Sequence, residues 1–254
     1  MMLVTSRLLT GLRHGFSTRR GGVSTGRYAT LNVGGKWGDD PEHVAHNRRR
    51  LAAAGGFDWA RLYTAKQVHG ARVALVVEGT LPERVAETEA DVVATAVPGA
   101  VVGVYTADCV PILLSDGEGR VAAAHAGWRG TVAGVANAAV EALVSIGAQR
   151  ERLRAALGPS ICARCFEVGE EVAAAFENLA PSSVIRHDAA SKPHVDLWEA
   201  NRRVLAAAGV RPEAIDAAPP CTMCEPERFF SFRRDGAQIG QHLSFVAAAA
   251  PEAG

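Results

Sequence analysis

The sequence has no excess of charge: 27 Lys and Arg balance 27 Asp and Glu. A neutral chain sets up no overall field that would draw it to nucleic acid or to an anionic membrane, so neither is expected as a partner, and a ligand has to be recognised locally. A long uninterrupted hydrophobic run is also missing. The most apolar stretch, residues 92–107, carries Pro98-Gly99 in its middle and reads as two strands around a turn rather than as a membrane span. The opening "MMLVTSRLLTGLRHG" is broken by Arg7 and Arg13 and offers no small-residue cleavage site after an apolar core, which argues against a signal peptide. A soluble, cytoplasmic protein is expected. Cysteine is scarce and odd in number, five in all, which points to reduced thiols or metal ligands rather than a disulfide framework. No internal repeat or charged linker divides the chain, so residues 1–254 are expected to form one domain, with the closing "AAAAPEAG" frayed.

What is present is nearly half hydrophobic, enough for a sizeable core. "GDDPEHVAHNRRRLAAAGG" predicts a helix: Asp40 caps it, Pro41 takes the first helical position and Gly55 stops it. The basic run at 48–50 reads as the solvated face of that helix. From Ala90 the pattern turns to strands, "ADVVATAV", "AVVGVYTA", "PILLSD" and "RVAAAHAG". The next segment, "GTVAGVANAAVEALVSIG", has helical spacing, so His125 should end a strand and "GWRG" should turn it into a helix. "EVGEEVAAAFENL" and "DLWEANRRVLAAAG" read as helices, and "RFFSFRRDG" with "QIGQHLSFV" reads as a closing hairpin. Strands grouped in the middle, with helices between and outside them, suggest a mixed α+β layered fold.

Within "YTADCVPILL" an acid and a thiol, Asp108 and Cys109, interrupt two apolar runs. A buried polar group without a partner costs about 1–3 kcal/mol, so both need partners. His69 in "KQVHG" and His125 in "AAAHAGWRG" stand at comparable strand ends, each followed closely by a glycine that lets backbone approach a ligand. One Cys and two His with an open fourth position is the arrangement of a catalytic zinc site, with copper as the alternative metal. The plainer reading is two satisfied core histidines and a thiol acting as a small hydrophobe, because ligands spread from 69 to 125 fit no compact motif. Two C-x-x-C pairs, Cys162/Cys165 and Cys221/Cys224, suggest a structural zinc site only superficially: their separation far exceeds that of a zinc ribbon, and free thiols are expected. "STRRGGVSTG" joins Arg19 and Arg20 to a Gly-rich loop, and Arg129 falls at a helix start, both compatible with an anion. His14, His43, His46, His187, His194 and His242 are assigned surface or capping roles.

From residue 14 to about 236 the segments "HGFSTRRGGVS", "LNVGGKWGDDPEHVAHNR", "KQVHG", "TADCVPILLSD", "AAAHAGWRGTVAGV", "LGPSICARCFEVGEEV", "DLWEANR" and "FFSFRRDG" follow one another. In this order they resemble the YfiH-type laccase-domain family, formerly described as multicopper polyphenol oxidases and now regarded as purine nucleoside phosphorylases. The resemblance implies a layered α/β/β/α sandwich with mixed sheets and a pocket at a mononuclear zinc held by His69, Cys109 and His125. It also implies phosphorolysis of adenosine, guanosine, inosine and methylthioadenosine, with phosphate as co-substrate, and deamination of adenosine. Copper-dependent oxidation of phenols and correction of peptidoglycan precursors are further attached to the family. Three positions depart from its pattern: Gln241 stands where an Arg is common, Phe166 replaces a Tyr before "EVG", and "ATLN" at 29–32 replaces the more usual "SLN".

The expected enzyme is therefore a zinc-dependent purine nucleoside phosphorylase with adenosine deaminase activity, acting as a monomer or weak homo-oligomer. Arg19 or Arg129 would clamp phosphate, Asn32 would contact substrate, and Asp108 would carry a proton or orient its neighbours. Three alternatives stand beside it. A cysteine hydrolase would use Cys109 as nucleophile and His125 or His69 as base. A metal-binding or partner-binding protein of the cell envelope would show no turnover, and a copper oxidase would need more metal ligands than these.

Overall fold

Runs such as "VPILLS" and "VAAAHA" are apolar at every position, and strands of that kind need cover on both faces. The computed structural model, which describes residues 1–179, 184–186 and 192–249, supplies that cover as four layers. One mixed sheet has the order β1 (Leu3–Val4), β2 (His14–Ser17), β13 (His242–Ala247), β6 (Val101–Thr106) and β3 (Leu62–Tyr63). The other runs β12 (Ile215–Asp216), β9 (Arg154–Leu157), β7 (Val110–Ser115), β8 (Val121–Ala126), β5 (Val92–Thr95) and β4 (Val73–Val76). A small pair, β10 (Ile185–Arg186) and β11 (His194–Val195), lies outside both.

Alternation along each strand decides which layer a side chain enters. Val93, Leu113, Ala123 and Ala156 of the six-stranded sheet meet Phe16, Val102, Val104 and Val246 of the other between the sheets. On the outer face of the six-stranded sheet, Ile112 and Ala124 pack under Val140 and Leu143 of the Val135–Ser145 helix and Leu205 of the Leu197–Ala207 helix. On the opposite outside, Leu51 of the Pro41–Gly55 helix covers Val101, Leu243 and Phe245. The expected α+β sandwich of α/β/β/α type is thus observed. No helix among the described residues is long and apolar enough to cross a membrane.

Several elements differ from expectation for local reasons. The first helix is capped by Asp40 and Pro41 and has Gly55 as its last residue, as expected, and Gly56, at a φ of 66°, closes its C-terminus. The helix after His125 is two pieces, Trp128–Val132 and Val135–Ser145, because Gly134 takes a φ of 81° between them. No closing hairpin forms. The Ser231 hydroxyl accepts from the Arg234 amide and caps a short helix, Phe232–Asp235, while both edges of β13 are already paired, with β2 and β6. His14 and His242 are not surface residues. Both are buried, and their Nε2 atoms accept from the amides of Ser6 and Phe230, each at 2.9 Å. His187 lies outside the described residues, as do residues 250–254 of the expected frayed end, whereas Ala247 and Ala248 are buried.

Candidate active site

β6 and β7 belong to different sheets, so the chain must leave one layer and enter the other within residues 107–109. Asp108 and Cys109 occupy that crossing, which is why an acid and a thiol can interrupt an apolar run. Asp108 adopts a φ of 90°, in a region that Asp and Asn tolerate better than branched or bulky residues. Its carboxylate is fully engaged: Oδ1 accepts from the Thr222 hydroxyl at 2.5 Å, and Oδ2 from the Ser231 hydroxyl at 3.0 Å and the Arg233 amide at 2.6 Å. These bonds hold the carboxylate in place at the crossing.

The two histidines converge on Cys109 from opposite directions. His125 is the last residue but one of β8, and its Nδ1 lies 2.8 Å from Oδ1 of Asp91, leaving Nε2 as the free ligand atom. His69 sits on the loop between β3 and β4 with a φ of 63°. Its loop is held by the same carboxylate, which accepts from the amides of Val68, His69 and Gly70 at 3.1, 3.0 and 2.7 Å. Gln67 ties that loop to β6, donating to the Tyr105 carbonyl and accepting from the Tyr105 amide, both at 2.8 Å. Ligand atoms of His69, Cys109 and His125 consequently lie within 4.8 Å of one another. Asp91 and Gln67 were missed in the sequence. Asp91 left a signal, an acid opening the apolar strand "ADVVATAV", whereas Gln67 left none.

Charge is organised around this trio. Burial pulls the Cys109 thiol upward, but the charge of His125 and hydrogen bonds from both histidines more than reverse it and bring it down to about 6. Burial likewise opposes a charged His125, and Cys109 with Asp91 raises it to about 9. For Asp91 burial is again outweighed, by the His125 bond and backbone amides, and its carboxyl is lowered. One thiolate and two imidazoles, with a carboxylate fixing the tautomer of one of them, form a donor set suited to zinc or copper.

Gly127, directly after β8, leaves room for the ligands. A methyl group on its Cα would lie 2.9 Å from Cδ2 of His69 and 3.0 Å from Sγ of Cys109. Gly127→Ala is expected to push the two ligands apart and weaken metal binding about 10–100-fold, the scale of a lost supporting contact. Titration of the metal-free protein against a competing chelator measures it, and an unchanged affinity would mean that the ligands move aside freely.

All three ligands face a cavity of about 580 Å³, within the size range of small-molecule sites. Among the described residues five cations line it, Lys36, Arg48, Lys66, Arg129 and Arg233, against a single carboxylate, the engaged Asp108. Lys66 is paired with Glu89 at 3.2 Å. Aromatic rings of Trp37, Tyr105, Trp128, Phe166 and Phe232 supply flat apolar faces. Arg48 is therefore not on a solvated face, although Arg49 and Arg50 are exposed. Its Nε donates to the Val33 carbonyl at 3.0 Å.

The other sequence candidates divide. Arg129 lines the cavity, with its guanidinium 4.2 Å from the Trp128 ring centre, although its helix of five residues is too short to add much of a dipole. Arg19 is not brought to the cavity. Its Nε donates to the Ala29 carbonyl at 2.7 Å and its Nη1 to the Pro226 carbonyl at 2.9 Å, in a separate pocket it shares with Arg20. Asn32 is buried behind the wall, where its side chain bonds the amide and carbonyl of Gly34 at 3.0 Å each and accepts from the Gln241 amide at 2.9 Å. It shapes the Gly34–Gly35 edge that Gln241 packs against. Contrary to expectation, the four cysteines of the C-x-x-C pairs come together, with sulfurs within 4.8 Å of one another.

Comparison with known proteins places this geometry among relatives. A family model described as multi-copper polyphenol oxidoreductase laccase matches residues 13–249. A "Purine nucleoside phosphorylase" of Deinococcus radiodurans is 44% identical over 238 residues, 92% of this chain and 88% of the relative. "Adenosine deaminase RL5", from an unknown prokaryotic organism, is 44% identical over 243 residues, 91% of this chain and 92% of the relative. Among solved structures, the YfiH protein of Bacillus licheniformis superposes with a TM-score of 0.86 at 31% identity, covering 92% of each chain.

Proposed function

The chain belongs to the multi-copper polyphenol oxidoreductase laccase family, of YfiH type, and on that premise we propose that it is a zinc-dependent purine nucleoside phosphorylase that also deaminates adenosine. The carrying observation is the trio of His69, Cys109 and His125 at the wall of a cavity that combines aromatic faces with an excess of cations. The rings fit a purine, and the cations fit a phosphate; a laccase with several coppers would need more imidazoles than the two His here. When bound, the zinc supplies Lewis acidity to an oxygen or nitrogen brought against it.

The chain's own residues do the rest. Trp128 or Phe232 offers a face on which a purine stacks. Arg129 and Lys36, which form no ion pair among the described residues, hold phosphate, Arg129 through its planar fork and Lys36 as a point charge. Phosphorolysis then joins a phosphate oxygen to the anomeric carbon of ribose as the bond to the base breaks, and the purine leaves with a proton. Asp91 keeps both histidines oriented, and Asp108 fixes the turn carrying Cys109.

Release of free base from adenosine and inosine, assayed with and without phosphate, tests the reading. Base and ribose 1-phosphate should form only when phosphate is present, and Arg129→Ala should raise the KM for phosphate at least about 10-fold, as loss of a charge-assisted contact does. Base release independent of phosphate would remove the phosphorylase. A second reading draws on the lowered Cys109 thiol beside His125, itself bound to Asp91: a cysteine hydrolase. It requires that chelators leave activity intact and that thiol alkylation abolish it.

A further inference from the structure

Cys162, Cys165, Cys221 and Cys224 are free thiols from segments far apart in sequence, yet all four sulfurs fall within 4.8 Å of one another, and Cys165 and Cys224 approach to 3.4 Å. Tetrahedral zinc with bonds of about 2.3 Å places its thiolates about 3.8 Å apart, between those two values. A multi-iron cluster would hold ligands on different irons, farther apart than this. Both pairs form the same turn. The Phe166 amide donates to the Cys162 carbonyl at 3.0 Å, and the Glu225 amide, at the equivalent position, to the Cys221 carbonyl at 3.2 Å. A bridge between Ser160 and Cys221 sets the two turns side by side.

A sulfur in these turns also receives a backbone donor. The Cys162 amide donates to Sγ of Cys221 at 3.3 Å. Such N–H groups stabilise thiolates, while crowding four thiolates together without a cation is unfavourable. We propose that these four cysteines hold a second ion, a zinc closed by four thiolates, separate from the His69, Cys109 and His125 centre. With all four positions filled by protein, this ion has no open site and is structural.

Its place explains its use. The amide of Ile161, next to Cys162, donates to the Asp108 carbonyl at 3.0 Å, and the hydroxyl of Thr222, next to Cys221, donates to the Asp108 carboxylate. Both turns therefore brace the Asp108-Cys109 crossing, and the second ion clamps them to each other.

The test is metal content of the full chain isolated under reducing conditions, with zinc and iron assayed together. Wild type should carry two equivalents. Cys224→Ser, at the exposed corner, and Cys165→Ser should each lose one, whereas Cys109→Ala should lose the other and keep this one. Cobalt loaded into Cys109→Ala should give the intense sulfur-to-metal absorption of a tetrathiolate. Three results would overturn the proposal: one equivalent in wild type that both Ser variants retain, iron in place of zinc at the second equivalent, or an isolated protein two hydrogens lighter with Cys165 and Cys224 joined as a disulfide.

Discussion

Replacing Cys109 with alanine is expected to remove the metal of the active site and to lower base release by about 10³-fold or more. The change deletes the only anionic ligand of the trio, and loss of a mere supporting group already costs about 10–100-fold. The fold should survive, because what disappears is one sulfur at a cavity wall, with no large side chain withdrawn from the core. A thermal melt of the variant beside metal-free wild type checks that point. Chelation of the wild type should reproduce the loss, and added zinc should restore wild type but not the variant. Activity that survives chelation yet vanishes in Cys109→Ala would make the thiolate a nucleophile, since the same lowered thiol that suits a metal suits attack on a carbonyl.

His125 was legible because it falls near the end of an apolar strand bounded by glycine, and Cys109 because it interrupts an apolar run, whereas His69, expected at a strand end, lies on the loop between β3 and β4. The four layers were legible for a related reason: strands apolar at every position demand cover on both sides. What the pattern hides is which sheet a strand joins. "AVVGVYTA" and "PILLSD" look like neighbours, yet they pair in different sheets, and only that crossing gives Asp108 and Cys109 their position. Arg19 and Arg129 looked equivalent in sequence, each an arginine close to a glycine-containing turn. The fold turns the first toward two carbonyls and leaves the second at the cavity. Pairing of the two C-x-x-C turns depends on one bridge, Ser160 to Cys221, across a separation no local rule spans. Asp91 was hidden because its partners are mostly backbone amides, which every residue has.

Asp91 carries the second large effect. Its two carboxylate oxygens collect four donors: Oδ1 accepts from the His69 amide and the His125 ring, and Oδ2 from the amides of Val68 and Gly70. In Asp91→Asn, whichever way the amide is turned, an NH₂ group replaces one oxygen and faces two of these donors, among which only the His125 ring is fully buried. A buried donor without an acceptor costs about 1–3 kcal/mol and a part-buried one less, so a loss of about 2 kcal/mol in stability is expected, measured by urea unfolding of the metal-free protein. Metal affinity should fall about 10–100-fold as well, since the loop of His69 and the ring of His125 both lose their anchor. Saturating zinc should then restore much of kcat. That recovery separates the orienting role from a direct part in the chemistry, because a group acting on substrate would leave kcat low however much metal is bound. Wild-type stability together with wild-type zinc affinity in Asp91→Asn would show that the two histidines hold their places without this carboxylate, and the centre would have to be rigid for another reason, the Gln67 clamp on Tyr105 being the next to remove.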